Sequence, residues 1–178
     1  ADDRGERVIL GQPSGYAKPL ITPKGDRLVF TNRRTHRVFV VNWDGTGLRP
    51  LDNGWAADVW ADPAAGAEWV YVRRGPDKAS PIVRIMLDKP QVEELVWSKT
   101  PVDIDNFQLS VDGTRAAGMF PWSDCGVAEL PNKSWKRYGG GCWTSLAPDN
   151  SYRFWHFDGP HRNLYLFDAG AKNLRVVN

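Results

Sequence analysis

The sequence predicts an all-β chain built of repeated four-stranded antiparallel units, and three observations carry that prediction. No segment holds an apolar stripe at helical spacing for three turns, whereas "RLVFTN", "RVFVVN", "EWVYVRR", "PIVRIML" and "NLYLFD" are short β-branched and aromatic runs. Gly, Pro, Asn and Asp interrupt these runs at short intervals, as chain reversal between strands requires. The turns also recur. Aligning "TPKGDRLVFT" (22–31), "ADPAAGAEWVYV" (61–72), "SVDGTRAAGMF" (110–120) and "APDNSYRFWHF" (147–157) brings Gly25, Gly66, Gly113 and Asn150 to one place, in steps of 41, 47 and 37 residues.

Each anchor reads as the turn between a first and a second strand, because Gly and Asn tolerate the positive φ of a tight hairpin. A second strand pair follows each one: "HRVFVVNWDGTGLRPLDNG", with its turn at Asp44 to Gly47, then "SPIVRIMLDKPQVEELVWS", "CGVAELPNKSWKRYGGG" and "RNLYLFDAGAKNLRVVN". The expected units are therefore 16–53, 54–98, 99–141 and 142–178, each of four strands a to d. Their spacing brackets the roughly 40 to 45 residues of a four-stranded β-propeller blade, whose faces are buried by radial stacking.

"ITPKGDRLVFTN" followed by "VFVVNWDGTGLRPLDNG" resembles the WD40-like PD40 repeat of the TolB-like propellers and of certain peptidase propeller domains. "LAPDNSYRFWHF" with "NLYLFDAGAKNLRVV" carries the same pattern, while the second and third units have "ADPAAG" and "SVDG" in the anchor place. The segment "ERVILGQPSG" resembles "GLRPLDNG", so residues 6–13 are expected to form a strand d from a preceding or closing blade. Four units plus one extra strand suggest part of a larger propeller of six to eight blades.

Composition excludes several classes. With 23 basic and 21 acidic residues the formal charge is only +2, which is not the basic face of a nucleic-acid binder. No apolar run approaches the roughly 20 residues of a membrane span. There is no C-x-x-C-H, no G-x-S-x-G elbow and no phosphate loop, since "GGGC" leads into a strand and not a helix. "NKS" at 132–134 is too short a pattern to carry weight.

In a propeller the b–c and d–a connections share one face, and here they are long and chemically rich. This loop-rich face is expected to bind through Arg33, Arg34, Trp55, Arg73, Arg74, Trp122, Asp124, Trp143 and Arg162. Indoles there can stack on a partner side chain or a sugar ring, or simply plug the blade tops; Trp69, Trp97 and Trp155 are expected in the core. His36, His156 and His161 fall at or near the same face, but their spacing is not a ligand motif, so neither a metal nor another cofactor is expected.

Cys125 and Cys142 also fall there with 16 residues between them, and a disulfide is expected over the alternative of two reduced thiols. Such a bridge would be worth about 3 kcal/mol. The start "ADDRGERV" is compatible with signal cleavage, which places the chain in a bacterial periplasm or outside the cell, or equally with a cloning boundary.

The resemblance implies a non-catalytic exported propeller holding a protein partner or a neighbouring domain, including the rest of a propeller. Its alternatives are a carbohydrate-binding or oligosaccharide-lyase propeller using metal-bound histidines, and the propeller part of a peptidase whose catalytic domain lies elsewhere.

Overall fold

A computed structural model describes residue 5, residues 7–168 and residues 174–177. Among the described residues sixteen strands form four sheets, each an antiparallel meander in chain order. The first holds β1 (Tyr16–Ile21), β2 (Arg27–Asn32), β3 (Arg37–Asn42) and β4 (Arg49–Asn53). The second holds β5 (Trp55–Ala61), β6 (Glu68–Arg73), β7 (Ile82–Met86) and β8 (Lys89–Trp97). The third holds β9 (Asp103–Leu109), β10 (Arg115–Met119), β11 (Asp124–Glu129) and β12 (Trp135–Gly140). The fourth holds β13 (Cys142–Leu146), β14 (Phe154–Phe157), β15 (Leu164–Phe167) and β16 (Leu174–Val177). This is an all-β fold of four propeller blades, and no described helix is long and apolar enough to cross a membrane.

Burial explains why the strands take this form. Three cores lie between successive sheets. Val29, Val38 and Val40 of the first pack on Ala56, Val70 and Val72 of the second. Trp60, Tyr71 and Trp97 of the second pack with Phe107, Ala116 and Phe120 of the third. Ala117 and Val127 of the third meet Leu146, Phe154 and Phe167 of the fourth. β6 is covered on both faces, so "EWVYVR" is buried throughout and shows no alternation.

The first strands β1, β5, β9 and β13 touch one another in succession and line the axis. Hydrogen bonds tie successive sheets together here: Ala56 N of β5 donates to Thr31 Oγ1 of β2 at 2.9 Å, Leu109 N of β9 to Asp58 Oδ2 of β5 at 2.8 Å and Leu146 N of β13 to Gln108 Oε1 of β9 at 3.0 Å.

Gly25, Gly66 and Gly113 do take positive φ, of 75°, 64° and 68°. At Gly113 the need is double, because an added Cβ would lie 2.7 Å from the Trp60 ring. In the fourth unit Tyr152, and not Asn150, takes the positive φ; the Asn150 amide oxygen instead accepts the Asp112 N–H at 3.0 Å, bridging to the third sheet.

Where residues 6–13 were expected to form a strand, the described residues 7–15 form none. They have no partner strand, and Pro13 lacks an N–H to give one. The segment instead packs on the outer face of the first sheet, where Ile9 and Leu10 line an apolar recess with Leu28, Phe30 and Val41. Asn32 Nδ2 to Ser14 Oγ (2.9 Å) and Arg33 N to Gly15 O (2.7 Å) hold its end. Glu6, and the last c–d turn apart from Asp168, lie outside the described residues.

Trp69 and Trp97 are buried as expected, but Trp155 is only half-buried. It pairs with Leu166, which pairs with Arg175, and this row faces away from the third sheet.

Candidate functional site

The b–c and d–a connections gather at one end of the four sheets, so the expected binding residues share a face but differ in what they can offer. Trp122 and Trp143 are the open ones, 64% and 55% exposed. Arg33, Arg34 and Arg162 are exposed and make no ion pair among the described residues. Arg74 is already committed, bound to Asp52 at 2.8 Å and to Glu93. Asp124 is held by Arg137 at 2.5 Å.

Trp55 is half-buried with its ring 5.4 Å from His36. Arg73 is buried: Nη1 donates to Val102 O at 3.2 Å, and Nε makes no hydrogen bond among the described residues. Burial draws its guanidinium below the ordinary value, against the pull of Asp103, Asp105 and Asp77.

The disulfide expected between Cys125 and Cys142 is not formed; both thiols are free. Cys125 is sealed inside β11, where burial pushes its thiol up to about 12, with Cys142 and Asp124 adding to the effect. Cys142 turns its sulfur instead to His161 Nε2, 2.6 Å away. Among the described residues no three His, Cys, Asp or Glu side chains come together as metal ligands. His36 stands at the junction of the first two sheets, whereas His156 and His161 belong to the fourth. His156 is buried, stacked on Tyr165 at 5.1 Å and Phe167 at 5.5 Å.

A second cluster, at the axis, escaped the sequence reading. Bulges interrupt the pairing of β1 between Ala17 and Leu20 and of β5 between Ala56 and Asp58. Lys18 sits in the first bulge with φ of 47° and extends past the second sheet to donate from Nζ to Ile104 O of the third. Asp58 and exposed Asp105 act on it electrostatically, and Asp105 also faces Arg73.

Nearby, Asp103 accepts the Trp122 N–H at 2.7 Å and pairs with Lys78 at 2.5 Å. Asp103 thus holds the backbone, not the ring, of exposed Trp122 on the loop-rich face. The signal was present in the sequence as single charges inside apolar strands, Lys18 in "YAKPLI" and Asp58 in "WAADVWA".

Burial dominates both axial charges. It lowers Lys18 from 10.5 to about 8 and raises Asp58 from 3.8 to about 6, although two backbone N–H groups favour the Asp58 carboxylate. For Asp58 the native state holds the proton more tightly, so its contribution to stability falls as pH rises from about 4 to about 6, and the full penalty stands above that. The Lys18 penalty stands below about pH 8 and is relieved as pH rises further.

Asp58→Asn keeps the acceptor for Leu109 and removes the charge. In urea unfolding at pH 4 to 6.5, the variant is expected to gain on the wild type by up to about 1.4 kcal/mol per pH unit. Parallel pH curves for the two proteins would refute this.

Comparison with known proteins shows the fold alone. No family model and no curated protein matches the chain. Among solved structures it is similar to one from a nidogen/laminin complex, with a TM-score of 0.64 and 13% identity, covering 99% of this chain and 69% of that one. Hydrazine synthase of Kuenenia stuttgartiensis matches with a TM-score of 0.64 and 16% identity, over 100% of this chain and 53% of that one. Oligogalacturonate lyase of Vibrio parahaemolyticus matches with a TM-score of 0.57 and 15% identity, over 96% of this chain and 50% of that one. These are β-propellers of different function, and the chain spans from half to about two thirds of their length.

Proposed function

We propose that this chain is a non-catalytic binding portion of a β-propeller, TolB-like in its repeats, that holds a protein partner or a neighbouring domain on its loop-rich face. The observation that carries the reading is the pair of open indoles, Trp122 and Trp143, on the same face as Arg33, Arg34 and Arg162, exposed cations that make no ion pair among the described residues. Exposed aromatics beside Arg are the residue types that dominate protein interfaces. The nidogen/laminin structure gives a precedent for a propeller in a protein complex. With both thiols free, a periplasmic or extracellular setting loses its physical support and forms no part of the proposal.

The opposite face also exposes apolar groups, Trp43, Leu48 and Val111, in its tight turns, and these serve as the control. Placing a photo-crosslinking phenylalanine derivative at 122 and 143, and separately at 43 and 111, is expected to yield crosslinked protein from the first pair only. Equal yields from both faces, or yield from 43 and 111 alone, would overturn the assignment.

A further inference from the structure

Cys142 opens β13 directly after the glycines 139–141, at the seam between the third and fourth sheets. Its Sγ lies 2.6 Å from His161 Nε2 and 3.8 Å from Asp158 O. The sulfur is half-buried, the imidazole is exposed and the next residue is the open Trp143, so the pair can be reached from the loop-rich face.

The turn that presents His161 is tightly built. His161 N donates to Asp158 O at 3.1 Å. The Asp158 carboxylate accepts from Arg162 N at 2.7 Å, Asn163 N at 3.2 Å and Asn163 Nδ2 at 2.8 Å. It is therefore occupied and leaves Nε2 of His161 to the sulfur.

Beneath the loop lies a second imidazole, His156, 2% exposed, whose Nε2 has no hydrogen-bond partner among the described residues. Cβ atoms added at Gly139 and Gly141 would come within 2.9 Å and 3.1 Å of its ring nitrogens. The glycines thus let the loop carrying Cys142 lie directly on an unsatisfied polar group, an unusual setting for inert packing.

We propose that Cys142 and His161 form a thiol-exchange site, in which the Cys142 sulfur attacks small, accessible disulfides and His161 Nε2 takes the thiol proton. A bond forms between Sγ and one sulfur of the incoming disulfide, and the disulfide S–S bond breaks. The departing thiolate leaves with that electron pair and takes the proton from the imidazolium, so the products are a mixed disulfide at Cys142 and one free thiol. No external oxidant or reductant is needed.

The imidazole is essential to this assignment, because burial and Asp158 raise the Cys142 thiol above its ordinary value. The sulfur and the ring nitrogen are already in contact at rest, and the imidazole acts as the base while the new bond forms. Cys125 cannot substitute, being wholly buried.

The test uses the full chain and the disulfide reagent dithionitrobenzoate at pH 7. One thiol per chain is expected to react at least tenfold faster than the thiols of the urea-unfolded chain, with the adduct mapping to Cys142 by mass spectrometry. Cys125→Ser should keep that rate and Cys142→Ser abolish it. His161→Ala and the size-conserving His161→Gln should each lose about tenfold at pH 7 and recover as pH rises into the thiol's own range. The proposal is overturned if both His161 variants react at the wild-type rate, if the native chain is no faster than the unfolded one, or if the adduct maps to Cys125.

Discussion

Glu68→Ala is expected to destabilise the chain by about 3–5 kcal/mol, the usual loss when one partner of a buried ion pair is removed. The Glu68 carboxylate is fully enclosed and lies 2.5 Å from Arg27 Nη2. Its other oxygen accepts the Lys24 N–H at 2.9 Å. Arg27 is itself largely buried; its other ion pairs among the described residues are with exposed Asp88 at 2.5 Å and, from Nε, with Asp26 at 3.5 Å, where Nε makes no hydrogen bond.

Removing the carboxylate leaves a buried cation and an orphaned backbone N–H, and it does so between the first and second sheets. Glu68→Gln preserves volume and one acceptor and should lose less. Urea unfolding of the two variants beside the wild type measures both effects. A loss under about 1 kcal/mol for the alanine variant would show that the seam does not depend on this pair.

Gly54→Ala is expected to cost about 3–5 kcal/mol, from a strained backbone and a collision of comparable size. Gly54 has φ of 128°, and an added Cβ would lie 2.2 Å from the Arg73 carbonyl oxygen and 3.1 Å from Val72. Its N–H donates to His36 O at 2.7 Å, so relief by shifting the strand would disturb His36, Trp55 and Arg73 together.

Gly25→Ala is the informative comparison: φ is 75°, but nothing lies within 4 Å of the added atom. It should lose about 1 kcal/mol, the backbone cost alone. Equal losses at the two positions would remove the collision from the account. The larger loss at Gly54 should be accompanied by a change in the fluorescence of Trp55, since that ring lies 5.4 Å from His36 in a tilted contact.

The four-unit organisation was legible because it rests on local chemistry: a turn glycine, a β-branched pair of strands and a repeated spacing act within a dozen residues of one another. Positive φ at Gly25, Gly66 and Gly113 follows from that grammar. The fourth turn departed from it because the Asn150 side chain is drawn to Asp112 of the third sheet, a contact 38 residues away. Residues 7–15 departed for a related reason. The likeness to a strand was there, but a strand needs a partner edge, and the segment found an apolar sheet face instead.

The loop-rich face was placed by the same unit pattern, whereas the state of each residue on it was not. Arg73 and Arg74 are neighbours in sequence with similar side chains, yet one is buried against Val102 O and the other is pinned between Asp52 and Glu93. The cysteines look like a disulfide pair by spacing, but the free sulfur of Cys142 is claimed by an imidazole from the next b–c turn. Lys18 and Asp58 were passed over because their meaning depends on the axis, where three sheets converge on a bulge.

By itself the sequence determined the all-β class, the four units and the end at which the long loops gather, since strand periodicity and turn chemistry are encoded within each unit. Only the tertiary structure decided which charges are buried, which indoles stay open and which thiol meets a base. The buried charges arise from contacts between sheets, across separations of 51 and 86 residues, and the thiol–imidazole contact from a turn 19 residues further on in the same sheet; in both, low dielectric and packing outweigh any local preference.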